Sequence, residues 1–339
     1  MLLPLPVGAI YVKALFSEEN KDTVVEMTED VIDAFKDDLY KITWMDESTK
    51  KFALNKVDQV AKLIGYPEYI VDEDNSRLDD EYKDLFVSEK KYFESEQNLY
   101  NFDLDQSLAK LNQPVDRQKW GMGPGQVNAF YNTNFNRMTF PAAILQVPFF
   151  DPGQPFAMNF AGVGDAMGHE LTHGFDTAGS RYNALGNLEI WWTNSSRKNF
   201  EQRASCFRKQ YGKFYYEPAE MFVNGNLTIG ENIADNGGIR LAYQGYQLWK
   251  IKNPGREFQL PGLEGYTHEQ LFFIANAQLW CGSDRPEFAK RRLAVFPHSP
   301  GIFRAEGSLK NFEKFGQAFG CRKGKDKMYP KQEDTCRVW

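Results

Sequence analysis

The sequence is organised around the stretch Gly164-Asp165-Ala166-Met167-Gly168-His169-Glu170-Leu171-Thr172-His173-Gly174-Phe175-Asp176. It contains the pattern His-Glu-x-x-His, which on a helix places His169 and His173 one turn apart on the same face, where two ring nitrogens could bind one zinc ion. Glu170 lies next to that face, within reach of a metal-bound water. Four apolar residues fall roughly opposite the histidines: Val163, Met167, Leu171 and Phe175. The stretch therefore predicts a helix with a buried apolar side and a metal-binding side that faces a cleft.

A second stretch, Gly230-Glu231-Asn232-Ile233-Ala234-Asp235-Asn236-Gly237-Gly238, supplies what the first one lacks. The bare His-Glu-x-x-His pattern also occurs by chance in proteins that bind no metal. A catalytic zinc ion uses three protein ligands and a water, so two histidines need a third partner, which Glu231 could provide. Asp235 lies on the same helical face four residues later, where it could accept the N–H of a zinc-bound histidine. If this stretch stood alone, a solvated helix face would be the better interpretation of both acids.

The charge and the N-terminal sequence argue against a nucleic-acid-binding protein and against a membrane-spanning segment. The chain has 339 residues and a formal net charge of −6, with no basic block of the kind that binds nucleic acid, so we expect no nucleic-acid partner. The apolar run in residues 1–16 is interrupted by Pro4 and Pro6 and has no basic cluster before it. It is too short to span a bilayer, and we predict neither a signal peptide nor a membrane anchor in this chain.

The cysteines leave two possibilities, reduced core thiols or disulfides. No pair has the Cys-x-x-Cys spacing of a zinc knuckle or a thioredoxin-like site; the four are Cys206, Cys281, Cys321 and Cys336. Asn194 and Asn226 each begin an Asn-x-Ser/Thr glycosylation acceptor, a pattern that is frequent by chance but agrees with an oxidising, extracellular setting. Disulfides are therefore the better interpretation.

Hydrophobic periodicity predicts that the first third of the chain is helical. Apolar spacing indicates one amphipathic helix over residues 22–42, a second from a cap at Ser48 to residue 64, and a third over much of residues 78–112. We predict a helical scaffold over residues 1–115 and a catalytic domain over residues 116–339. Charged residues along the scaffold helices are best interpreted as solvated faces.

Past a glycine-rich turn at residues 120–125, two short strands are predicted at residues 127–131 and 137–140. An edge strand beside the metal-binding helix could hold an extended peptide by main-chain hydrogen bonds, although an ordinary hairpin is equally compatible with the spacing. Further helices are expected to begin at Thr193 and at Thr267, where a capping box places His268 at a helix start without a catalytic role. The predicted fold is mainly α with a small antiparallel β element.

Six stretches together resemble the neprilysin family of zinc metallopeptidases, which includes the endothelin-converting enzymes. The resemblance follows the family's order and spacing and covers nearly the whole chain. The stretches are Asn128-Ala129-Phe130-Tyr131, Phe140-Pro141-Ala142-Ala143-Ile144-Leu145-Gln146, Gly168-His169-Glu170-Leu171-Thr172-His173-Gly174-Phe175-Asp176, Gly230-Glu231-Asn232-Ile233-Ala234-Asp235-Asn236-Gly237-Gly238, His298-Ser299-Pro300-Gly301 and Cys336-Arg337-Val338-Trp339.

The resemblance implies a role for each matching site residue. It implies that the zinc ligands are His169, His173 and Glu231. It implies that Glu170 is the general base and that Asp235 supports a ligand histidine.

Other matching residues would contact the substrate. The resemblance places His298 beside the reaction oxyanion and Arg304 near the active site. It implies that Asn128 and Ala129 bond the substrate backbone and that Trp280 forms a wall of an apolar specificity pocket. Without the resemblance, the residues around His298 favour a functional role no more than a purely structural one.

The chain also departs from the family pattern. Family members are longer, with two mainly helical lobes around a cavity, and this chain resembles only the C-terminal half. In the family, cysteines that match Cys281 and Cys321 pair with the other half, whereas Cys206 and Cys336 keep each other as expected partners. Asp165 stands where the family usually has an apolar residue, which could disturb the packing behind the helix, and Thr177 replaces a common aspartate.

These expectations combine into one functional hypothesis. The chain would be the thermolysin-like catalytic lobe of a zinc endopeptidase that hydrolyses small peptides on the amino side of bulky apolar residues, through a water activated by Glu170. We expect an extracellular or cell-surface location. One alternative is a truncated, weakly active or inactive member that serves as a secreted zinc- or peptide-binding protein. Another is a metal-free helical scaffold, which zinc content would distinguish.

Overall fold

The computed structural model describes residues 3–339, and within that range the chain is mainly helical. The thirteen helices are α1 Pro4–Leu15, α2 Glu18–Lys41, α3 Glu47–Asp58, α4 Ser76–Tyr82, α5 Tyr92–Leu108, α6 Phe156–Asn159, α7 Asp165–His173, α8 Asn194–Tyr211, α9 Ile229–Lys252, α10 His268–Leu279, α11 Pro286–Val295, α12 Gly301–Lys310 and α13 Glu313–Ala318. The five strands are β1 Ala61–Gly65, β2 Phe130–Asn132, β3 Arg137–Pro141, β4 Tyr215–Tyr216 and β5 Met221–Phe222.

The helix predicted over residues 22–42 is confirmed as α2, but the next prediction is partly wrong. The cap of α3 is Asp46, not Ser48, because the Asp46 carboxylate accepts the backbone N–H of Thr49. The helix ends at Asp58, and the apolar residues that follow form β1 instead of a further helical turn. The broad helix predicted over residues 78–112 is in fact two helices, α4 and α5.

The main sheet has the order β1-β3-β2. The predicted hairpin is confirmed, since β2 and β3 pair antiparallel, with Phe130 opposite Thr139. The parallel pairing of β1 with β3 was not predicted. All five β3 residues are buried, so this strand needs a hydrogen-bonding neighbour on each side, and the apolar β1 provides one.

Helices α7 and α9 form the tightest helix pair around the predicted site. A Cβ added to Gly168 of α7 would lie 2.8 Å from the Gly238 carbonyl oxygen of α9, and one added to Gly237 would lie 2.3 Å from Thr172 Oγ1. Only glycine allows this backbone approach. The approach brings the acidic face of α9 against the histidine face of α7.

The predicted apolar side of α7 is confirmed by burial. Val163, Met167, Leu171 and Phe175 are all fully buried in the main core. Helix α2 contributes to the same core, for example through Phe35, whose ring packs edge-on against Phe175. Residues from both sides of position 115 thus share one core, and the division at residue 115 stays a prediction.

The chain end is joined to α8 by a disulfide between Cys206 and Cys336, whose Cα atoms are 5.6 Å apart. Trp339 is buried against Phe35 and Phe175. Cys281 and Cys321 carry no disulfide within residues 3–339. No helix in that same range has the length and apolar character needed to cross a bilayer.

Candidate metal centre

The two histidines of α7 and the first turn of α9 lie on the wall of an open cavity of about 590 Å³. Just before α7, residues Phe160–Gly164 form a π-helical turn, a feature often found at functional sites. The cavity is also lined by Glu170, His298 and Arg304. Side chains that are distant in the sequence therefore meet at one solvent-accessible wall.

The ring orientation of the two histidines is set by carboxylates. His169 Nδ1 lies 2.9 Å from Asp235 Oδ1, and His173 Nδ1 lies 2.8 Å from Asp176 Oδ2. A carboxylate accepts hydrogen bonds, so each Nδ1 is the protonated nitrogen and each Nε2 presents a lone pair when the ring is neutral. The two Nε2 atoms are only 3.0 Å apart.

The third converging group is the carboxylate of Glu231. Its Oε2 lies 3.3 Å from His169 Nε2 and 3.4 Å from His173 Nε2, and it is buried without a well-aligned hydrogen bond. One ligand atom from each of these residues lies within 4.8 Å of the others. Three lone-pair donors that face one point repel one another unless a cation lies between them, so the residues fit a bound metal ion.

The surrounding charges favour a cation at this point. Burial would lower the pKa of His169, but the neighbouring carboxylates of Asp235 and Glu231 raise it to about 9. Burial would raise the pKa of Glu231, but contacts with His169, His173 and His298 lower it far below its ordinary value. Glu231 is therefore ionised, and positive charge is stabilised on the ring nitrogens beside it.

Asp235 is held by an ion pair as well as by His169. Arg304 of α12 donates from Nε at 2.9 Å and from a terminal nitrogen at 2.5 Å. Burial raises the pKa of Asp235, but the charge of Arg304 and the bond to His169 lower it to about 2. The Arg304 guanidinium also lies 3.8 Å from the ring centre of Trp280, which lines the cavity. Arg304 therefore connects the acid behind His169 to the apolar wall.

Two supporting residues were missed from the sequence. Asp176 follows His173 by three residues, which brings its side chain back to the ring, and this spacing was the available signal. Its second oxygen accepts the backbone N–H groups of Ala178 and Gly179 at 2.7 and 2.8 Å. This arrangement makes Asp176 a rigid partner of His173.

Lys56, the other missed residue, comes from α3 in the distant N-terminal part and gave no signal in the sequence. Its Nζ donates to three carbonyl oxygens of the loop after α7, those of Gly174, Gly179 and Tyr182, at 2.6, 2.8 and 2.7 Å. Burial lowers the pKa of Lys56 to about 7, although the charge of Asp176 acts in the opposite direction. Lys56 holds the loop that carries Asp176.

The remaining predicted site residues have clear positions. Glu170 is buried and lines the cavity beside the ligating group. His298 Nε2 lies 3.1 Å from Glu231 Oε2, with its side chain 40% exposed. Asn128 and Ala129 line the cavity just before β2, which is an edge strand of its sheet. These residues all border the same open space.

The residues with other predicted roles lie outside the cavity lining. Asn194 and Asn226 are exposed, as glycosylation acceptors must be. The predicted capping box of Thr267 is confirmed, and His268 bonds the Phe258 carbonyl oxygen.

Comparison with known proteins decides the family. A model described as Peptidase family M13 matches residues 128–336, and a second model with the same description matches residues 1–67. The chain belongs to peptidase family M13. The predicted resemblance to neprilysin and the endothelin-converting enzymes is thereby confirmed.

Two relatives show how far the similarity of this M13 chain extends. The mouse (Mus musculus) protein named membrane metallo-endopeptidase-like 1 is 46% identical over 335 residues, which is 98% of this chain and 43% of the relative. Human (Homo sapiens) neprilysin is 44% identical over 334 residues, 98% of this chain and 44% of the relative. The chain therefore spans less than half the length of these relatives.

A solved structure confirms the predicted fold class. The inhibitor complex of Mycobacterium tuberculosis zinc metalloprotease Zmp1 superposes with a TM-score of 0.86 at 36% identity, covering 98% of this chain and 49% of that one. The mainly helical architecture with small sheets is thus shared with M13 zinc metalloproteases.

Proposed function

We propose that this chain carries the catalytic centre of a zinc-dependent endopeptidase that hydrolyses small peptides on the amino side of bulky apolar residues. The observation that carries the proposal is the convergence of His169, His173 and Glu231 on one point of the cavity wall, with Glu170 beside them. The names of the relatives support it, since they describe endopeptidases and a zinc metalloprotease.

The donor set matches zinc better than other common metals. Two imidazoles and one carboxylate form the ligand set of several hydrolytic zinc enzymes, whereas magnesium and calcium prefer oxygen ligands alone. His169, His173 and Glu231 would hold the ion. When bound there, zinc would lower the pKa of a coordinated water to about 7 and polarise the scissile carbonyl.

The surrounding side chains would then move the protons. Glu170 would accept a proton from the attacking water and return it to the leaving amine. His298 lines the cavity 3.1 Å from Glu231, so it could donate a hydrogen bond to the developing oxyanion. Loss of one such donor typically costs about 3 kcal/mol of transition-state stabilisation. Asp235 and Arg304 would keep His169 in the required tautomer and orientation.

The substrate would lie along the edge of the sheet. The outer edge of β2 and the preceding residues, Asn128 and Ala129, offer main-chain groups to an extended peptide. Trp280 and Phe149 form apolar walls in the same cavity, where a bulky side chain would be accommodated. Peptides are therefore the proposed partners.

We also propose an extracellular or cell-surface location. The disulfide between Cys206 and Cys336 is of the kind that persists in oxidising compartments. The exposed Asn194 and Asn226 acceptors are accessible to glycosylation.

The test is cleavage of a quenched fluorescent peptide with an internal phenylalanine by the wild-type chain and by Glu170→Gln. Both proteins are compared at equal, measured zinc content. We expect cleavage by the wild type only, because the variant keeps the metal ligands and loses the base. Equal cleavage by both would contradict the role of Glu170. Loss of zinc from Glu170→Gln would contradict its assignment as a residue that does not bind the metal.

A further inference from the structure

Two further cavities, of about 780 and 420 Å³, meet at the disulfide that joins α8 to the end of the chain. Cys206 lines both of them. Each cavity has walls from α8 and from residues 324–337, which we call the C-terminal segment. Neither cavity shares a lining residue with the cavity of the candidate metal centre. They are therefore separate from the proposed catalytic machinery.

The smaller cavity, called the arginine cavity, has two cations and no acid in its wall. Arg203 and Arg337 line it with six uncharged residues: Trp44, Asn199, Gln202, Cys206, Gln332 and Thr335. Arg337 Nε donates to the Trp339 carbonyl oxygen at 2.5 Å, and a terminal nitrogen of Arg337 lies 3.9 Å from Asp38. The Arg203 guanidinium lies 5.4 Å from the ring centre of Trp44 and, within residues 3–339, has no ion pair.

The two guanidinium groups of the arginine cavity repel each other. Burial, and then the charge of Arg337, lower the pKa of Arg203. An anion bound between the two groups would remove this repulsion. Arginine also binds oxyanions such as sulfate and phosphate in a two-point geometry. The arginine cavity therefore suits an oxyanion.

The larger cavity, called the lysine cavity, is lined by lysines of α8, α12 and the C-terminal segment. They are Lys209, Lys213, Lys310, Lys325, Lys327 and Lys331. Two of them are paired, Lys327 with Glu306 at 2.9 Å and Lys331 with Glu333 at 3.8 Å. The other four form no ion pair with any residue in the range 3–339. One further lining acid, Asp326, is bound by Arg322.

The lysine cavity thus keeps an excess of positive charge. Of its lining acids only Asp334 has no basic partner among residues 3–339, against four lysines without an acidic one. This excess stands out because the whole chain has a formal net charge of −6. Clustered lysines and arginines are typical of surfaces that bind heparin and other polyanions.

The two cavities lie along one helix and so favour an extended ligand. Arg203 and Lys213 are ten residues apart on α8, which corresponds to about 15 Å. A ligand that reaches both cavities must carry anionic groups at intervals along its length. The disulfide at their junction is typical of an oxidising, extracellular compartment, where sulfated polysaccharides rather than nucleic acids are the expected polyanions.

We propose that the arginine and lysine cavities together form a binding site for a linear sulfated polysaccharide. One sulfate group would lie between Arg203 and Arg337. Others would lie beside the unpaired lysines, such as Lys213 and Lys325. The site goes beyond the proposed peptidase function, because it would attach the protein to polysaccharide of the cell surface or matrix.

The test is binding of the full chain to heparin, a sulfated polysaccharide. The wild type should stay on immobilised heparin above physiological salt, about 0.15 M, and should leave a sulfopropyl cation exchanger at lower salt. Lys213→Gln/Lys325→Gln removes two exposed lysines of the lysine cavity. This variant should bind soluble heparin about tenfold more weakly, and its slope of log affinity against log salt should be smaller by about two. Arg203→Gln should also bind more weakly.

Lys51→Gln/Lys290→Gln is the matched control, since it removes the same charge from exposed lysines outside both cavities. It should keep the wild-type affinity. Equal losses in the two double variants would overturn the inference, because the effect would then come from overall charge. So would release of the wild type from heparin below physiological salt, or equally tight binding of desulfated heparin, RNA or anionic lipid vesicles. These wild-type comparisons need no variant to fold.

Discussion

Replacement of Asp176 by asparagine would separate the two tasks of this side chain. One oxygen accepts from His173 Nδ1 at 2.8 Å, and the other accepts the N–H groups of Ala178 and Gly179 at 2.7 and 2.8 Å. A carboxylate can perform both tasks because both of its oxygens are acceptors, whereas an amide has only one. Asp176→Asn must therefore lose either the loop bonds or the correct His173 tautomer.

The loss of zinc affinity or of stability in Asp176→Asn depends on which hydrogen bond the asparagine gives up. If the amide nitrogen faces His173, the ring proton moves to Nε2 and blocks the metal-binding lone pair. Loss of such a supporting partner typically costs 10- to 100-fold in metal affinity, or about 1.4 to 2.7 kcal/mol. If the amide turns round, two bonds to a charged acceptor are lost instead, at about 1.5 to 3 kcal/mol each in stability. We expect the first outcome, because only one bond is sacrificed.

The assay is zinc affinity, measured by competition with a chromophoric chelator at fixed pH, with urea unfolding in parallel. Asp116→Asn is the matched control, since Asp116 accepts the Gln118 N–H at 2.8 Å and does not line the cavity. The control should bind zinc like the wild type. Unchanged zinc affinity together with unchanged stability in Asp176→Asn would refute the reasoning.

Three further predictions concern metal binding, the disulfide and pH. Glu231→Val should lower the zinc content after dialysis because it removes a ligand, and a fully metallated variant would contradict this role. The bond between Cys206 and Cys336 spans a sequence separation of 130 residues. In the chain-entropy model Cys336→Ser should therefore lower the free energy of unfolding by about 5 kcal/mol in urea, and an unchanged midpoint would count against that estimate. Burial alone would raise the pKa of Asp46. The hydrogen bonds that its carboxylate accepts, of which the one from Ser196 has the largest effect, lower this pKa well below 3.8. Stability from this acid is thus present above about pH 4 and lost below it, so acid titration of Asp46→Asn should show a weaker decline than the wild type.

Much of the α7 face was predictable because the helical period relates neighbours in the sequence. The spacing of His169 and His173 and the burial of Met167 and Leu171 follow from 3.6 residues per turn. Helix capping also depends only on residues a few positions apart, which is why the prediction that Thr267 caps a helix was confirmed. Where a local pattern was ambiguous, prediction failed.

Strand β1 is the clearest failure. The apolar run at residues 61–65 fits the end of a helix or a buried strand equally well. The choice depends on β3, which lies more than seventy residues later and needs a parallel neighbour. No local property of the run contains that information.

By itself, the sequence determined the helix that carries His169 and His173, the candidate ligand Glu231 and the M13 family, because these depend on spacing and on residue identity. Only the tertiary structure decided that Asp235 faces the ring of His169 and that Lys56 holds the loop carrying Asp176. The physical reason is that hydrogen-bond partners and burial are set by contacts between distant segments. The contact of Asp235 with His169, for example, requires the close approach of α7 and α9 that their glycines allow.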